Sequence, residues 1–336
     1  MVRITDVARH AGVSASTVSY ALSGKRPISA ETRQRIEASI RLLGYRPHAG
    51  ARALAGSRSK VLALVVPLRT GVDVPVVTRF AVSVVTAARR YDHDVLLLTQ
   101  EEGHEGLRRV ADTALADALI VMDVQLRDPR LPLLRALDRP SVLIGFPAAP
   151  GGLTCVDLDF RAAADLCVGH LAGLGHRVVA LVGSPPEVYV RGTAFAQHVV
   201  RGFTAAADRH GMSSSVHPCE ATPAAARALA ERLLRERPAL TGVVVHNEAV
   251  LAPLVDAFEA LGVRVPGDLS VTAICPDESA ERARVPVTAV SLPSAEVGAG
   301  AVDLVMRKLR GTPVPEATVL EPRLTERSST APGPAR

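Results

Sequence analysis

Residues 4–24 read ITDVARHAGVSASTVSYALSG, and the spacing within this stretch decides how the first part of the chain folds. Ile4, Val7, Ala8 and Ala11 recur at the period of one helix face, and the run stops at Gly12, a residue suited to the left-handed turn after a helix. Ser14 stands where a hydroxyl accepts a hydrogen bond from the first free N–H groups of a second helix over 15–22. Val18, Ala21 and Leu22 are its expected inward side chains. Ala8 and Gly12 are small, so the two helices can cross closely around Gly12-Val13-Ser14. That is helix-turn-helix geometry, which lays the second helix in a DNA major groove. Further on, Ser29 is placed to cap a third helix with Glu31 at its positive end. Ile36, Ile40 and Leu43 form its expected buried stripe, and Gly44 ends it.

Charge agrees with this reading. The first 60 residues carry eleven Lys and Arg against Asp6, Glu31 and Glu37, a net of +8, whereas the remaining 276 residues sum to −3. A basic head on a slightly acidic body suits a polyanionic partner, because neutralising phosphates releases their counterions. A solvated basic face would carry the same charge; the helix pattern separates the two.

The whole chain has 336 residues, 48% hydrophobic and 22% charged, enough for more than one core and too few charges for a disordered polyelectrolyte. No apolar run approaches a membrane span, and the N-terminus lacks the apolar centre of an export signal, so a cytoplasmic protein with no membrane association is expected. The four cysteines, 155, 167, 219 and 275, form no C-x-x-C pair, which favours reduced thiols and no structural metal. No phosphate-cradling glycine loop follows a strand, and the GAG at 298–300 lacks a third glycine. There is no G-x-S-x-G elbow, and the ten histidines show no ligand spacing. Neither an enzyme nor a cofactor is expected.

From residue 61 apolar strands alternate with amphipathic helices. Strands are expected at 61–67, 94–99, 116–122, 141–145 and 154–159, then at 178–183, 215–220, 242–246 and 270–274. Helices fall between them, for example 161–174 and 223–236; in the latter Thr222 caps and Pro223 takes the first helical position. Continuous apolar strands alternating with helices imply parallel sheets covered on both faces. About 270 residues exceed one comfortable core, so two lobes are expected.

The chain resembles the LacI/GalR family of bacterial transcription regulators. The resemblance rests on the stretch quoted above and on ISAETRQRIEASIRLLGYRPHAGARALAG at 28–56. It continues in LAGLGHR at 171–177, VVHNE at 244–248, GVRVPGDLSV at 262–271, VPVTAV at 285–290 and EPRLTERSST at 321–330. It implies an N-terminal all-α helix-turn-helix domain of the lambda-repressor-like kind over 1–45. A hinge helix and linker at 46–60 would follow, then an α/β periplasmic-binding-protein-like effector domain of two Rossmann-like lobes over 61–330. Lobe 1 would take about 61–160 and 290–320, lobe 2 about 161–289 and 321–330, and 331–336 would be a disordered tail. The tail's lack of leucine heptads argues against a coiled-coil tetramer.

Function follows from the same resemblance. Two copies of the chain would bind a palindromic operator in double-stranded DNA as a homodimeric repressor, with a small-molecule effector (a sugar or related metabolite) in the cleft between lobes. Ala15, Ser16 and Tyr20 occupy base-reading positions, and Thr17 and Ser19 suit phosphate or short polar contacts. Thr5, Ser14, Arg46 and Arg52 join them, with Leu54 as a wedge that kinks the central base step. Gly50 departs from the bulkier apolar residue of many members, which lowers the hinge's helix stability by roughly 1 kcal/mol relative to alanine.

In the cleft the resemblance points to Asn247 after its strand and Asp159 at the first lobe crossing. Arg69, Asp73 and Arg191 are candidates for charge, Phe146, Phe160 and Tyr189 for an apolar wall, and Cys275 and Asp277 stand where the family has an aspartate turn. Several sugar-holding features are missing: no aromatic stands in PLRTGVDVPVV, and Val199 replaces an arginine, which puts an ordinary hexose in doubt. A co-repressor of non-sugar chemistry and an effector-free DNA-architectural protein are the alternatives.

Tyr20 stands where many relatives have arginine, which reads guanine with two hydrogen bonds; a tyrosine offers one hydroxyl and a ring that can lie on a thymine methyl. Selection from randomised half-sites should therefore yield a preference that changes at one base pair in Tyr20→Phe and Tyr20→Ala. An unchanged preferred sequence in both variants would remove Tyr20 from base reading.

Overall fold

The computed structural model describes residues 2–23, 26–45, 59–66, 68–99, 107–108, 115–137 and 139–333. Three helices form the head: α1 (Ile4–Ala11), α2 (Ala15–Ser23) and α3 (Ala30–Leu43). Their ends are set as the residue types dictate. Asp6 accepts from Arg3 N at 2.8 Å, Ser14 Oγ from Thr17 N at 3.1 Å, and Ser29 Oγ from Thr32 N at 3.2 Å. Gly12, at φ 65°, turns the chain out of α1, a left-handed conformation in which a Cβ would be strained. Val7, Ala8, Ala11, Val18, Ile36 and Tyr45 make the head's core. Ala21, Ile40 and Leu43 pack against it half-buried, but Leu22, expected to face inward, is 37% exposed. A three-helix unit this small encloses few residues fully, and Leu22 falls outside.

Two six-stranded sheets follow. The first contains β1 (Val61–Val65), β2 (Asp94–Leu98), β3 (Ala118–Val121), β4 (Ser141–Ile144), β5 (Thr154–Leu158) and β11 (Ala317–Leu320), in the order β11-β5-β4-β3-β1-β2 and parallel throughout. The second contains β6 (Val178–Gly183), β7 (Ser213–Pro218), β8 (Gly242–Val245), β9 (Ser270–Cys275), β10 (Thr288–Ser291) and β12 (Leu324–Thr325), in the order β12-β10-β9-β8-β6-β7. Only the β10–β12 pair is antiparallel. Every expected strand is present within a residue or two at its ends, the usual scatter of such boundaries. The short β10, β11 and β12 carry too little pattern to be marked beforehand, and the serine-rich start of β7 hides an edge strand.

Helices sheathe both sheets: α4 (Val74–Arg89), α5 (Leu131–Ala136), α6 (Phe160–Gly173), α7 (Pro186–Val190), α8 (Ala194–Arg209), α9 (Pro223–Glu236), α10 (Glu248–Ala260), α11 (Asp277–Arg282) and α12 (Ser294–Leu309). Thr222 caps α9 as expected, accepting from Ala225 N at 3.2 Å. The chain passes between sheets three times: from β5 into α6, from β10 into α12, which packs on α4, and from β11 to β12. Residues 331–333, expected to be a disordered tail, are pinned instead. Ala331 bonds Ser270 Oγ and His176 Nε2, and Gly333 N donates to the Leu174 carbonyl at 2.7 Å.

α6 and α8 cross at Gly202, where a Cβ would overlap the Arg161 carbonyl and stand 2.8 Å from Arg161 Cα. Backbone cannot yield as a side chain does. Gly202→Ala should therefore lower thermal stability by about 1–3 kcal/mol despite alanine's better helix propensity. Gly169→Ala on α6, whose Cβ would meet only His210 Nε2 at 3.9 Å, should raise it by up to about 1 kcal/mol. Calorimetric melting of both variants checks this; equal shifts would refute the crossing argument.

Candidate functional site

In the head, hydroxyls gather at the start of α2. Ser14 Oγ lies 2.8 Å from both Ser16 Oγ and Thr17 Oγ1, and Thr5, Ser14 and Ser16 are exposed. Thr17, Ser19 and Tyr20 are half-buried, and Ala15 packs partly against the head's core. The Arg26 guanidinium lies 5.2 Å from the centre of the Tyr20 ring, a cation–π contact that holds the ring and adds positive charge beside it. His10 Nδ1 and Ser39 Oγ, 2.9 Å apart, tie α1 to α3. Arg46, Gly50, Arg52 and Leu54 lie outside the described residues.

The second site is a cavity of about 140 Å³ between the two sheets. In each sheet the central pair, β1–β3 and β6–β8, marks the point where strand order reverses, and ligands of such folds sit beyond the strand C-termini there. Val66, Met122 and Asp123 enter from the first sheet, Ser184, His246 and Asn247 from the second. Phe80, Phe160 and Phe195 add an apolar wall. The His246 ring is set 5.7 Å from Phe160 and 5.6 Å from Phe195, edge-on to the latter.

Four of the ten residues expected in the cleft line this cavity, Phe160 in its apolar wall among them. Asp73 caps α4, accepting from Val76 N at 3.0 Å; Arg191 donates to the Thr70 carbonyl at 2.9 Å. Asn247 donates its amide to the Gly183 and Cys219 carbonyls at 3.2 and 2.8 Å. Arg69 stands behind the wall, 3.3 Å from Asp123. The other five are engaged away from the lining. Asp159 caps α6 through Arg161 N and Ala162 N, and Tyr189 Oη accepts from Ser184 N at 3.2 Å. The Phe146 ring packs into the first sheet's other core, Cys275 is buried, and Asp277 is held by Ser291 and Arg327. Asp159 lies past the end of β5 and already belongs to the helix cap, while Asp157, two residues earlier on the strand, lines the cavity.

Asp123, Asp157, Ser184, His246 and Glu248 are the polar lining residues that sequence reasoning did not single out. A lone acid within an otherwise apolar parallel strand, as in TCVDL, was the available signal. Burial raises the Asp123 carboxyl, opposed by Arg191, Arg69 and Arg130. Burial takes Asp157 up to about 7 against the Leu158 N–H, and burial alone takes His246 down to about 4. Glu248 is raised to about 7 by burial and then by the charge of Asp73 from the opposite lobe.

The loop after β3 is held from below. Arg130 makes a buried pair with Asp128 at 2.6 Å and also donates to the Met122 and Asp123 carbonyls at 3.1 and 2.9 Å. Across the crevice the same loop bonds the other lobe: Leu126 N to the Gly192 carbonyl at 2.9 Å, Ala194 N to the Val124 carbonyl at 2.8 Å.

Comparison with known proteins places the chain. "Bacterial regulatory proteins, lacI family" matches residues 3–48, and "Periplasmic binding protein-like domain" matches 168–330. The HTH-type transcriptional regulator AglR of Rhizobium meliloti (strain 1021) is 30% identical over 347 residues, covering 100% of this chain and 96% of AglR. The chain belongs to the lacI family. It is thus a DNA-binding transcription regulator with a helix-turn-helix head and a periplasmic-binding-protein-like body. Among solved structures, the transcriptional regulator CelR in complex with cellobiose is 25% identical with TM-score 0.68, covering 98% of this chain and 100% of CelR. The lac repressor dimer bound to operator and the anti-inducer ONPF shares the fold at TM-score 0.79 and 21% identity, covering 98% of this chain and 99% of the repressor's.

The buried acid of this lacI-family cleft has a stability signature. Unfolded, Asp157 ionises near the ordinary value of about 4; folded, it stays protonated up to about 7. Unfolding therefore releases a proton in that window, so this residue's contribution to stability falls as pH rises through it and levels off above. Asp157→Asn should gain on the wild type by on the order of 2 kcal/mol between about pH 5 and about pH 8. Denaturant unfolding at the two pH values measures the gap, and a constant gap would refute it.

Proposed function

We propose that this regulator is a cytoplasmic repressor that binds a palindromic operator as a homodimer, and that a small organic molecule between the lobes sets its affinity for DNA. The observation that carries the reading is the cavity lined from both sheets. A molecule touching both lobes has different affinity for different lobe arrangements, which any ligand-driven shift requires. The Leu126–Gly192 and Val124–Ala194 bonds, the Arg191–Thr70 bond and the Arg79–Glu278 pair at 2.7 Å are among the cross-lobe contacts such a shift would remake. CelR with cellobiose and the lac repressor dimer with operator and ONPF support a small effector, a dimer and an operator for this chain.

One helix-turn-helix covers one half-site, and two copies on a palindrome supply the affinity. Inverted repeats should outcompete random duplex by roughly a thousandfold or more at matched salt, and the free protein should sediment as a dimer. A monomer without preference for any inverted repeat would sink the reading. Tight binding without sequence preference would make the protein architectural instead.

A further inference from the structure

The charges around the cavity do not balance. Asp73, Asp123, Asp157 and Glu248 line it, and Arg191 is the only basic side chain among the described lining residues, His246 being held neutral by burial. Arg191 and Arg69 lower the Asp123 carboxyl, yet no cation among the described residues lowers that of Asp157 or Glu248. Asp157 is 6% exposed, and among the described residues its carboxyl accepts one hydrogen bond, from Leu158 N at 2.9 Å. His246, 4% exposed, has no partner for Nδ1 among the described residues. A carboxyl that lines the cavity without a counter-ion, buried as in Asp157 or half-buried as in Glu248, asks for one from outside.

We propose that the molecule seated here is an amphipathic organic cation, its ammonium or amidinium drawn to the carboxyls of Asp73, Glu248 and Asp157 that line the cavity and its apolar body against Phe80, Phe160 and Phe195. The proposal rests on the effector reading and names its ligand class. A metal ion is a poorer fit, because no three His, Cys, Asp or Glu among the described residues converge to ligate one. A neutral polyol is poorer too: its hydroxyls bond carboxylates without supplying charge, and the lining is mainly aliphatic and aromatic. Phenylalanine faces, by contrast, attract a cation as well as its apolar body. Because Asp73 and Glu248 come from opposite lobes, one cation between them also relieves their mutual repulsion.

The test is calorimetric titration of the full chain with 2-phenylethylamine, its neutral counterpart 2-phenylethanol, and cellobiose. At about pH 8 the amine should bind at least roughly tenfold more tightly than the alcohol. Towards about pH 6 its binding should weaken and release protons, since Asp157 and Glu248 must then ionise to meet it. Asp73, Asp123, Arg191, Arg69 and His246 face the same space, so the pH profile is repeated in Asp157→Asn/Glu248→Gln, which should lose both the preference and the proton release. Melting temperature confirms that this variant folds.

Equal binding of amine and alcohol, silence of the amine at millimolar concentration, or an unchanged preference in the double variant would overturn the proposal. Cellobiose binding with the amine silent would overturn it while leaving the effector reading intact. Amine binding that obeys the pH rule but leaves operator affinity unchanged would uphold the cation site and overturn the effector reading.

Discussion

A parallel strand buried on both faces has its backbone satisfied by its neighbours and its side chains by the helices above and below. Its polar business is pushed to its ends. In this protein two such sheets turn their carboxyl ends toward one crevice. Val66 and Asp123 follow the ends of β1 and β3, Ser184 and His246 those of β6 and β8, and these residues line the cavity. The three crossings of the chain keep both sheets in one body while leaving the crevice as the place where they meet.

That arrangement makes the loop after β3 more than a connection. Asp123 takes a left-handed backbone conformation, φ 51°, which aspartate tolerates better than most residues. Arg130 holds two carbonyls of the loop, Asp128 holds Arg130, and the far side of the loop bonds residues 192 and 194 of the other lobe. Burial pushes the Asp128 carboxyl up, but its bonds to Arg130 outweigh this and leave it lowered. A rigid first-lobe element therefore carries both a cavity wall and a contact across the crevice, which is how occupancy could be felt as lobe geometry.

The fold was largely legible because its signals are local. Caps at Ser14, Ser29 and Thr222 and the period of Val7, Ala8 and Ala11 each need only a few neighbouring residues to be read. The site was legible in part. Asp73 and Asn247 stand at helix starts and Arg191 ends the short helix after β6, so position alone suggested them. Phe146 and Tyr189 looked equally available, but one ring packs into a core and the other hydroxyl is spent on Ser184 N.

The sequence by itself determined the class of the protein: a basic helix-turn-helix head, a body of alternating strands and helices, and a two-lobed chain of the lacI family. The head and the alternating body follow from periodicity, capping chemistry and charge, which act between residues near one another along the chain, and the family follows from the resemblance of whole motifs such as 4–24 and 262–271. Only the tertiary structure decided that Asp157, not Asp159, reaches the cavity, and that Asp73 and Glu248 confront each other from opposite lobes. Which carboxyls lack a counter-ion depends on distances between residues far apart in sequence and on how much water burial removes. Neither quantity exists until the two sheets have packed.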